Sequence, residues 1–550
     1  MGDAEAGQAL GIEAHCSTFN ILKIHNEPGI AWPSMHFKRA AGVPDNRGNV
    51  LSRRFKILLI NPPHIQKKGL YPRVVFEPLG LAYVGAYLEK EGYDVSIVDA
   101  IGEGFDKFTA LDEDRELVGL TYEEIGGYVR EMAPQVVGIG IPFTMRAESA
   151  FKVASTVKAI SSDIVTVVGG IHVSTYPEEC ISQPHVDYIV AGEGELPMAG
   201  LLKVIQKGSL DGLDRVKGIG FKKDGRPVLN PREEPIKDLD ALPYPARHLL
   251  PMERYFEASR SFKTGRHGKK FACILTSRGC PFKCNFCVSY KLMGRIWRYR
   301  SPENVVDEIE ALVKDYGVSF IHFEDDNMTL KKERVERICD LIIERGLKIR
   351  WDTPNGIMAH TIADEGVLRK MKASGCQHIC VAPESGNQYV VDNIIKKKID
   401  LGKIEEVVKI CKRIGLKVDA FFVIGLVGET KEQIEDSIRF ARKLRALGAS
   451  RCHFHIATPF EGTEMYAEAK KKGYLVDAPD GCIRLETPRI STDEFTVEDI
   501  DRYFTEGNKV NPVIPTDKLG LIFHLLYTEP WKLMKSSVKY FTKRLGGLSG

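Results

Sequence analysis

Two series of short apolar runs, each alternating with amphipathic segments, leave this chain few ways to fold. The first series reads FKILLI, YDVSIVD, QVVGIGI, DIVTVVG and VDYIVA, between Phe55 and Ala191. The second reads FACILTS, VSFIHFE, KIRWDT, QHICVAP, KVDAFFVIG and SRCHFHIA, between Phe271 and Ala457. Continuous Val/Ile runs have no polar face to offer water. They belong to parallel strands covered by helices on both sides. The intervening segments supply those helices. In SPENVVDEIEALVKDYG, Ser301 is the expected cap, Pro302 opens the helix and Gly317 follows its end. The fold class expected is therefore α/β, in two parts. Residues 54–207 form a doubly wound sheet of about five strands. Residues 266–465 form six strand–helix units of a partial barrel, whose functional residues gather at the C-terminal strand ends.

The rest of the chain is less regular. Residues 1–53 read as an irregular arm. Residues 208–265 read as a linker, with a hairpin around Asp224-Gly225 and the Pro-rich LDALPYPARHLLP. Residues 466–550 form a mostly helical C-terminal region. Its last stretch, PWKLMKSSVKYFTKRLGG, has Met534, Val538, Phe541 and Leu545 on one face and Lys532, Lys535, Lys539 and Lys543 on another. Such a helix either packs on the barrel or lies in a membrane interface. A net charge of +3 over 550 residues gives no reason to expect nucleic-acid binding. No run of 18 apolar residues spans a membrane. The N-terminus lacks the features of a signal peptide, and Ala6 stands where a myristoylation signal wants Ser or Thr. The expected location is the cytoplasm, with membrane contact at most peripheral. Most of the twelve cysteines are scattered, which argues for free thiols and metal binding over disulfides.

One cysteine cluster breaks that scatter. TSRGCPFKCNFCVSY places Cys280, Cys284 and Cys287 in one loop after the first barrel strand. Three thiolates can hold three irons of a [4Fe–4S] cube and leave the fourth open, as a reactive metal site requires. Gly279 and Pro281 suit a loop wrapped round a cube, and Phe286 adds an aromatic surface. A zinc knuckle with a distant fourth ligand and three core cysteines are the structural alternatives. Further loops follow later strands: EDDN after the second, ESG after the fourth, GLVGET after the fifth. In the first sheet, GIPFTMR follows the third strand, Gly169-Gly170 the fourth and AGEGE the fifth.

CPFKCNFC resembles the CxxxCxxC motif of the radical S-adenosylmethionine (SAM) superfamily, and the other barrel loops agree in register. The resemblance implies that Glu324, Asp325 or Asp326 contacts the methionine amino group. It implies Glu384 and Ser385 near the ribose or carboxylate, and Gly425 and Glu429 around the adenine. Val427, where Pro is common, is a small departure. The N-terminal layout resembles a cobalamin-binding domain, with Gly140, Thr144, Gly169, Gly170, His172 and Glu193 around the cofactor. Its usual cobalt-ligating Asp-x-His-x-x-Gly motif is broken here: Pro62 and Lys67 flank His64, and Gly140 stands where Ser is expected. The resemblance therefore implies cobalamin with no histidine beneath the cobalt, with ligation by His64 as the alternative.

Together the two parts resemble the cobalamin-dependent, class B, radical SAM methyltransferases. The arm and the second-strand loop are nearest to phosphonate C-methylases of fosfomycin-type pathways. The implied cofactors are a [4Fe–4S] cluster, SAM and cobalamin. The implied activity is methylation of an unactivated carbon of a small molecule, through a 5′-deoxyadenosyl radical and methylcobalamin. Flavodoxin or ferredoxin would supply electrons. A phosphonate-like and a lipid-like substrate both remain open. A cobalamin-dependent cyclase or ring-rearranging enzyme shares this architecture. A cobalamin sensor with an inactive barrel is the non-enzymatic alternative. A methylthiotransferase would need a second cluster, and the first sheet holds only Cys180; Cys376 and Cys380 read as core thiols.

Overall fold

The computed structural model describes residues 55–68, 75–208, 211–262, 269–477 and 487–511. The N-terminal arm and the basic amphipathic stretch after Pro530 lie outside the described residues.

Five parallel strands build the first sheet: β1 (Lys56–Asn61), β2 (Asp94–Asp99), β3 (Val136–Gly140), β4 (Val165–Gly169) and β5 (Tyr188–Val190). Their order is β2-β1-β3-β4-β5. Both faces are buried, as the unbroken apolar runs require. On β1, Leu58 and Ile60 enter one core and Ile57 and Leu59 another. The second core continues into the barrel, so the two sheets share it. The chain reverses direction across β1, with β2 on one side and β3 on the other. Ligands of doubly wound sheets bind at this reversal, beyond the strand ends.

The hairpin expected in the linker is the edge of this sheet. β6 (Ile219–Lys223) pairs antiparallel with β5, and β7 (Arg226–Leu229) pairs with β6. Asp224 and Gly225 both have positive φ, the requirement of a tight hairpin turn. The physical reason is the short β5, whose open edge the hairpin covers. A separate three-stranded sheet of His64–Lys67, Phe108–Ala110 and Arg115–Val118 adds to the expected elements.

The barrel strands are β8 (Phe271–Ile274), β9 (Phe320–Phe323), β10 (Arg350–Ile357), β11 (Cys376–Glu384), β12 (Lys417–Ile424) and β13 (Arg451–Ile456). All are parallel and in chain order, and β8 and β13 do not meet. Helix Pro302–Tyr316 is capped as expected: Ser301 accepts from the Asn304 N–H, and Gly317 takes φ +67°. Alternation along β12 is sharp. Val418, Ala420, Phe422 and Ile424 are fully buried against the helices, while Asp419, Phe421 and Val423 face the lumen. No described helix is long and apolar enough to cross a membrane.

Two buried ionic networks fasten the sheets to each other. In one, Arg247 donates to Glu77 (2.8 Å), Glu308 (2.6 Å) and the Cys273 carbonyl, and the Cys273 N–H donates to Glu77. Arg300 also pairs with Glu308. Burial raises the Glu308 carboxyl, but the Arg300 and Arg247 guanidiniums outweigh it and hold the group below its usual range. In the second network, Arg278 pairs with Glu195 (2.7 Å) and Arg298 with Glu193 (2.5 Å). All four residues are almost completely buried.

Candidate active site at the facing strand ends

A cavity of about 670 Å³ lies where the C-terminal ends of both sheets face each other. Asn61, Gly140, Gly169 and Glu193 line it from the first sheet, and Cys273, Glu324 and Asn355 from the barrel. Most of its wall is apolar, which suits a large flat cofactor with few polar anchors.

On the first-sheet side, glycines shape the wall. Gly170 has φ +123°, and a Cβ there would stand 2.5 Å from the Ile141 carbonyl oxygen. Gly169 shares the cavity-lining face of β4 with Val167, and a side chain there would fill the space. Asn61 is fixed by donating to Asp99 (2.7 Å), whose other oxygen accepts from Tyr255 (2.6 Å). Arg146 donates to the Pro62 carbonyl (3.1 Å), yet its buried Nε has no hydrogen-bond partner. A glycine cradle beside an unsatisfied donor fits cobalamin, whose rim carries amide carbonyls.

Of the residues expected around cobalamin, Gly140, Gly169, Gly170 and Glu193 line the cavity. Thr144 and His172 are not among the lining residues. They meet each other at 3.4 Å, and His172 packs against Tyr176. Glu193 is held in its ion pair with Arg298 and also accepts the Ile236 N–H. His64 lies on the strand paired with Val118 and does not line the cavity. Burial, with Arg146 nearby, pushes its imidazole down to about 4, so it is neutral at pH 7. The expected result for His64→Ala is an unchanged cob(II)alamin EPR spectrum. Loss of a nitrogen superhyperfine splitting present in the parent protein would make His64 a cobalt ligand.

Arg278, Leu292 and Met293, on either side of the cysteine loop, line the cavity from the barrel side, while Cys280, Cys284 and Cys287 are not among its lining residues. Gly279 has φ +82°, and a Cβ there would sit 2.4 Å from the Ile296 carbonyl oxygen, so the turn into Cys280 requires glycine. Each cysteine of the triad is half-buried and free of disulfides. The three are close enough to affect one another's ionisation. Burial pushes the Cys284 thiol up to about 12 and Cys287 to about 11. Iron must displace those protons on binding. Among the described residues, no three His, Cys, Asp or Glu side chains converge as they would on a single ion. A cube takes one thiolate at each of three corners and needs no such convergence. Phe286 packs beside the loop against the barrel core.

The remaining barrel residues divide by role. Asp325 is buried and accepts from the Thr276 N–H (3.1 Å) and hydroxyl (2.7 Å) and from Ser277, so it fixes the approach to the cysteine loop. Glu324 faces the cavity and accepts from Asn355 (3.0 Å). Asp326 is exposed and accepts from Ser289. Glu384 ends β11 with φ +65°, a strained conformation for a residue with a side chain. Ser385 is fully buried, 3.0 Å from the Ser437 hydroxyl. Glu429 is fully buried; one oxygen accepts the Gly425 and Leu426 N–H groups, and the other has no partner. Burial pushes its carboxyl up to about 8, against those two hydrogen bonds. Burial therefore favours its protonated form near neutral pH.

Sequence reasoning missed Lys397. Its partly buried ammonium donates to Glu384 (2.6 Å) and the Ala382 carbonyl (2.8 Å), within electrostatic reach of Cys284. It sits in a run of three lysines, which reads as a solvated face. Arg278 was missed as well, because its partners lie more than 80 residues away.

Comparison with known proteins agrees with this layout. Residues 274–441 match the Radical SAM superfamily and residues 71–202 the B12 binding domain. Cytidylyl-2-hydroxyethylphosphonate methyltransferase of Streptomyces wedmorensis is 30% identical over 84% of this chain and 89% of its own. Anaerobic magnesium-protoporphyrin IX monomethyl ester cyclase of Rubrivivax gelatinosus is 30% identical over 77% of this chain and 71% of its own. The fold resembles that of a radical S-adenosylmethionine methyltransferase, TsrM, from Kitasatospora setae, solved with cobalamin and a [4Fe–4S] cluster. The TM-score is 0.62 at 20% identity, over 82% of this chain and 85% of that one.

Proposed function

Because this chain belongs to the cobalamin-dependent radical SAM methyltransferases, we propose that it methylates an unactivated carbon of a phosphonate presented as a nucleotidyl ester. It is an enzyme that uses a [4Fe–4S] cluster, SAM and cobalamin on a small-molecule substrate. The cluster with SAM supplies the carbon radical that takes a hydrogen from substrate, and cobalamin supplies the methyl group. The observation that supports the assignment is the shared cavity, lined by the glycine-rich strand ends of the first sheet and by Arg278, Leu292 and Met293 on either side of the cysteine loop. The substrate class follows the phosphonate methyltransferase with which the chain shares 30% identity.

The roles of individual residues follow from their surroundings. Cys280, Cys284 and Cys287 hold three irons. Glu324 and Asp326 remain to receive the amino group of SAM, since Asp325 is committed to Thr276 and Ser277. Glu384, oriented by Lys397, addresses the ribose or carboxylate, and the buried Ser385 fixes the turn behind it through Ser437 and the Asn387 N–H. Glu429, through its hydrogen bonds from the Gly425 and Leu426 N–H groups, shapes the turn beside the adenine. Gly140, Gly169 and Gly170 admit the cobalamin tail, while Thr144 and His172 brace that loop from behind. Glu193, through Arg298, ties this wall to the cysteine loop. The apolar cavity wall excludes water from a reactive carbon radical. Reduction comes from an external one-electron donor such as flavodoxin or ferredoxin, which places the enzyme in the reducing cytoplasm.

The test compares two substrates on anaerobically reconstituted enzyme. Cytidylyl-2-hydroxyethylphosphonate should raise 5′-deoxyadenosine release at least tenfold above free 2-hydroxyethylphosphonate. Equal release with both would overturn the nucleotidyl-ester reading.

A further inference from the structure

Strand positions that face a barrel interior are ordinarily filled by bulky branched apolar side chains. In this barrel they carry polar and aromatic groups instead. His378 on β11 and His453 on β13 both direct Nε2 to one oxygen of Asp419 on β12, at 3.2 and 3.0 Å. Burial raises the Asp419 carboxyl, but the hydrogen bonds from His378 and His453 outweigh it and hold the group well below the usual carboxylate range. The other Asp419 oxygen is buried without a hydrogen-bond partner. One carboxylate thus fixes two imidazoles across three strands. Above it, the Phe421 ring lies 5.6 Å from His453 and 5.7 Å from His455. Water reaches this wall: His378 is 25% and His453 34% exposed, while alternate residues of β12 are fully buried. Arg350, Lys417 and Arg451 are exposed at the strand starts on the same face.

Depth says what such a wall handles. Asp419 precedes Ile424, at the end of β12, by five positions, so it lies roughly 16 Å below the barrel mouth at about 3.3 Å per residue. A group bound there is remote from the carbon that reacts beside the cysteine loop. It serves as a handle whose binding positions the reacting end. An aromatic face flanked by two fixed imidazole edges matches a planar heterocycle with polar substituents.

We propose that this wall of the barrel binds the nucleoside end of a nucleotidyl-ester substrate, with the base against Phe421 and His455 and its polar edge on His378 and His453. Asp419 is a positioning residue that fixes both imidazoles. The proposal rests on the nucleotidyl-ester reading above and adds the residues that recognise the ester.

Cytidine 5′-monophosphate is the probe, titrated into the full chain loaded with cluster, cobalamin and SAM. Inorganic phosphate is the control. Binding of the nucleotide but not of phosphate is expected. Phe421→Leu and His453→Gln should each weaken it at least tenfold and raise the KM for the cytidylyl ester by a similar factor. Cobalamin content and cluster absorbance equal to the parent's verify folding in each variant. If the cytidylyl ester is methylated but both variants keep the parent's nucleotide affinity and KM, this proposal is overturned and the substrate reading stands. If the parent binds no nucleotide and turns over no cytidylyl ester, both fall.

Discussion

In Cys284→Ala, SAM cleavage should fall to the background of cluster-free protein, and bound iron should fall with it. Cys284 is the most strongly perturbed thiol of the triad, with burial pushing it up to about 12. Among the described residues, no other cysteine is placed to replace it. Cys273 lies on β8 with its backbone engaged by Arg247 and Glu77, and Cys411 is buried on an outer helix. Cys180→Ala provides the control, since Cys180 lies in the core of the first sheet. That variant should keep its iron and its cleavage. Iron content and 5′-deoxyadenosine formation near parental levels in Cys284→Ala would remove the triad from the mechanism.

The second large effect is on stability. Arg247→Ala leaves Glu77 and part of Glu308 without their cation, and both carboxylates are buried. Breaking a buried pair from one side costs about 3 to 5 kcal/mol, because a charge remains that neither water nor partner can satisfy. The Cys273 carbonyl loses its donor as well, beside the cavity. The loss should therefore appear in the urea midpoint and in cobalamin retention together. Lys203→Ala, which removes a surface pair with Glu91, should cost about 1 kcal/mol or less. An Arg247→Ala midpoint within the range of Lys203→Ala would show that the sheets are fastened by apolar packing alone.

What was legible in the sequence was local. Every strand of both parallel series is present, because Val/Ile runs and helix caps act over a few residues. The Gly279 turn and the cysteine spacing were legible for the same reason. The hairpin was read correctly as a hairpin, but its docking on β5 depends on an open strand edge that composition does not reveal. Asp325 and Glu324 are adjacent in sequence, yet one is consumed by Thr276 and Ser277 while the other faces the cavity. Strand alternation separates them, and only the packed register says which side is which. Lys397, Arg278 and the His378–Asp419–His453 group are invisible for a stronger reason. Each acquires its role from a partner on another element, and a lone lysine or histidine in the sequence carries no mark of it.

The most direct test of the central claim uses SAM carrying a trideuterated methyl group. The reconstituted enzyme is incubated anaerobically with cobalamin, a low-potential reductant and the cytidylyl phosphonate ester, and the products are weighed by mass spectrometry. The account predicts a product bearing one trideuterated methyl on carbon, formed together with 5′-deoxyadenosine and S-adenosylhomocysteine. 5′-Deoxyadenosine formed with no deuterated methyl in any product, as a cyclase or rearranging enzyme would give, contradicts it.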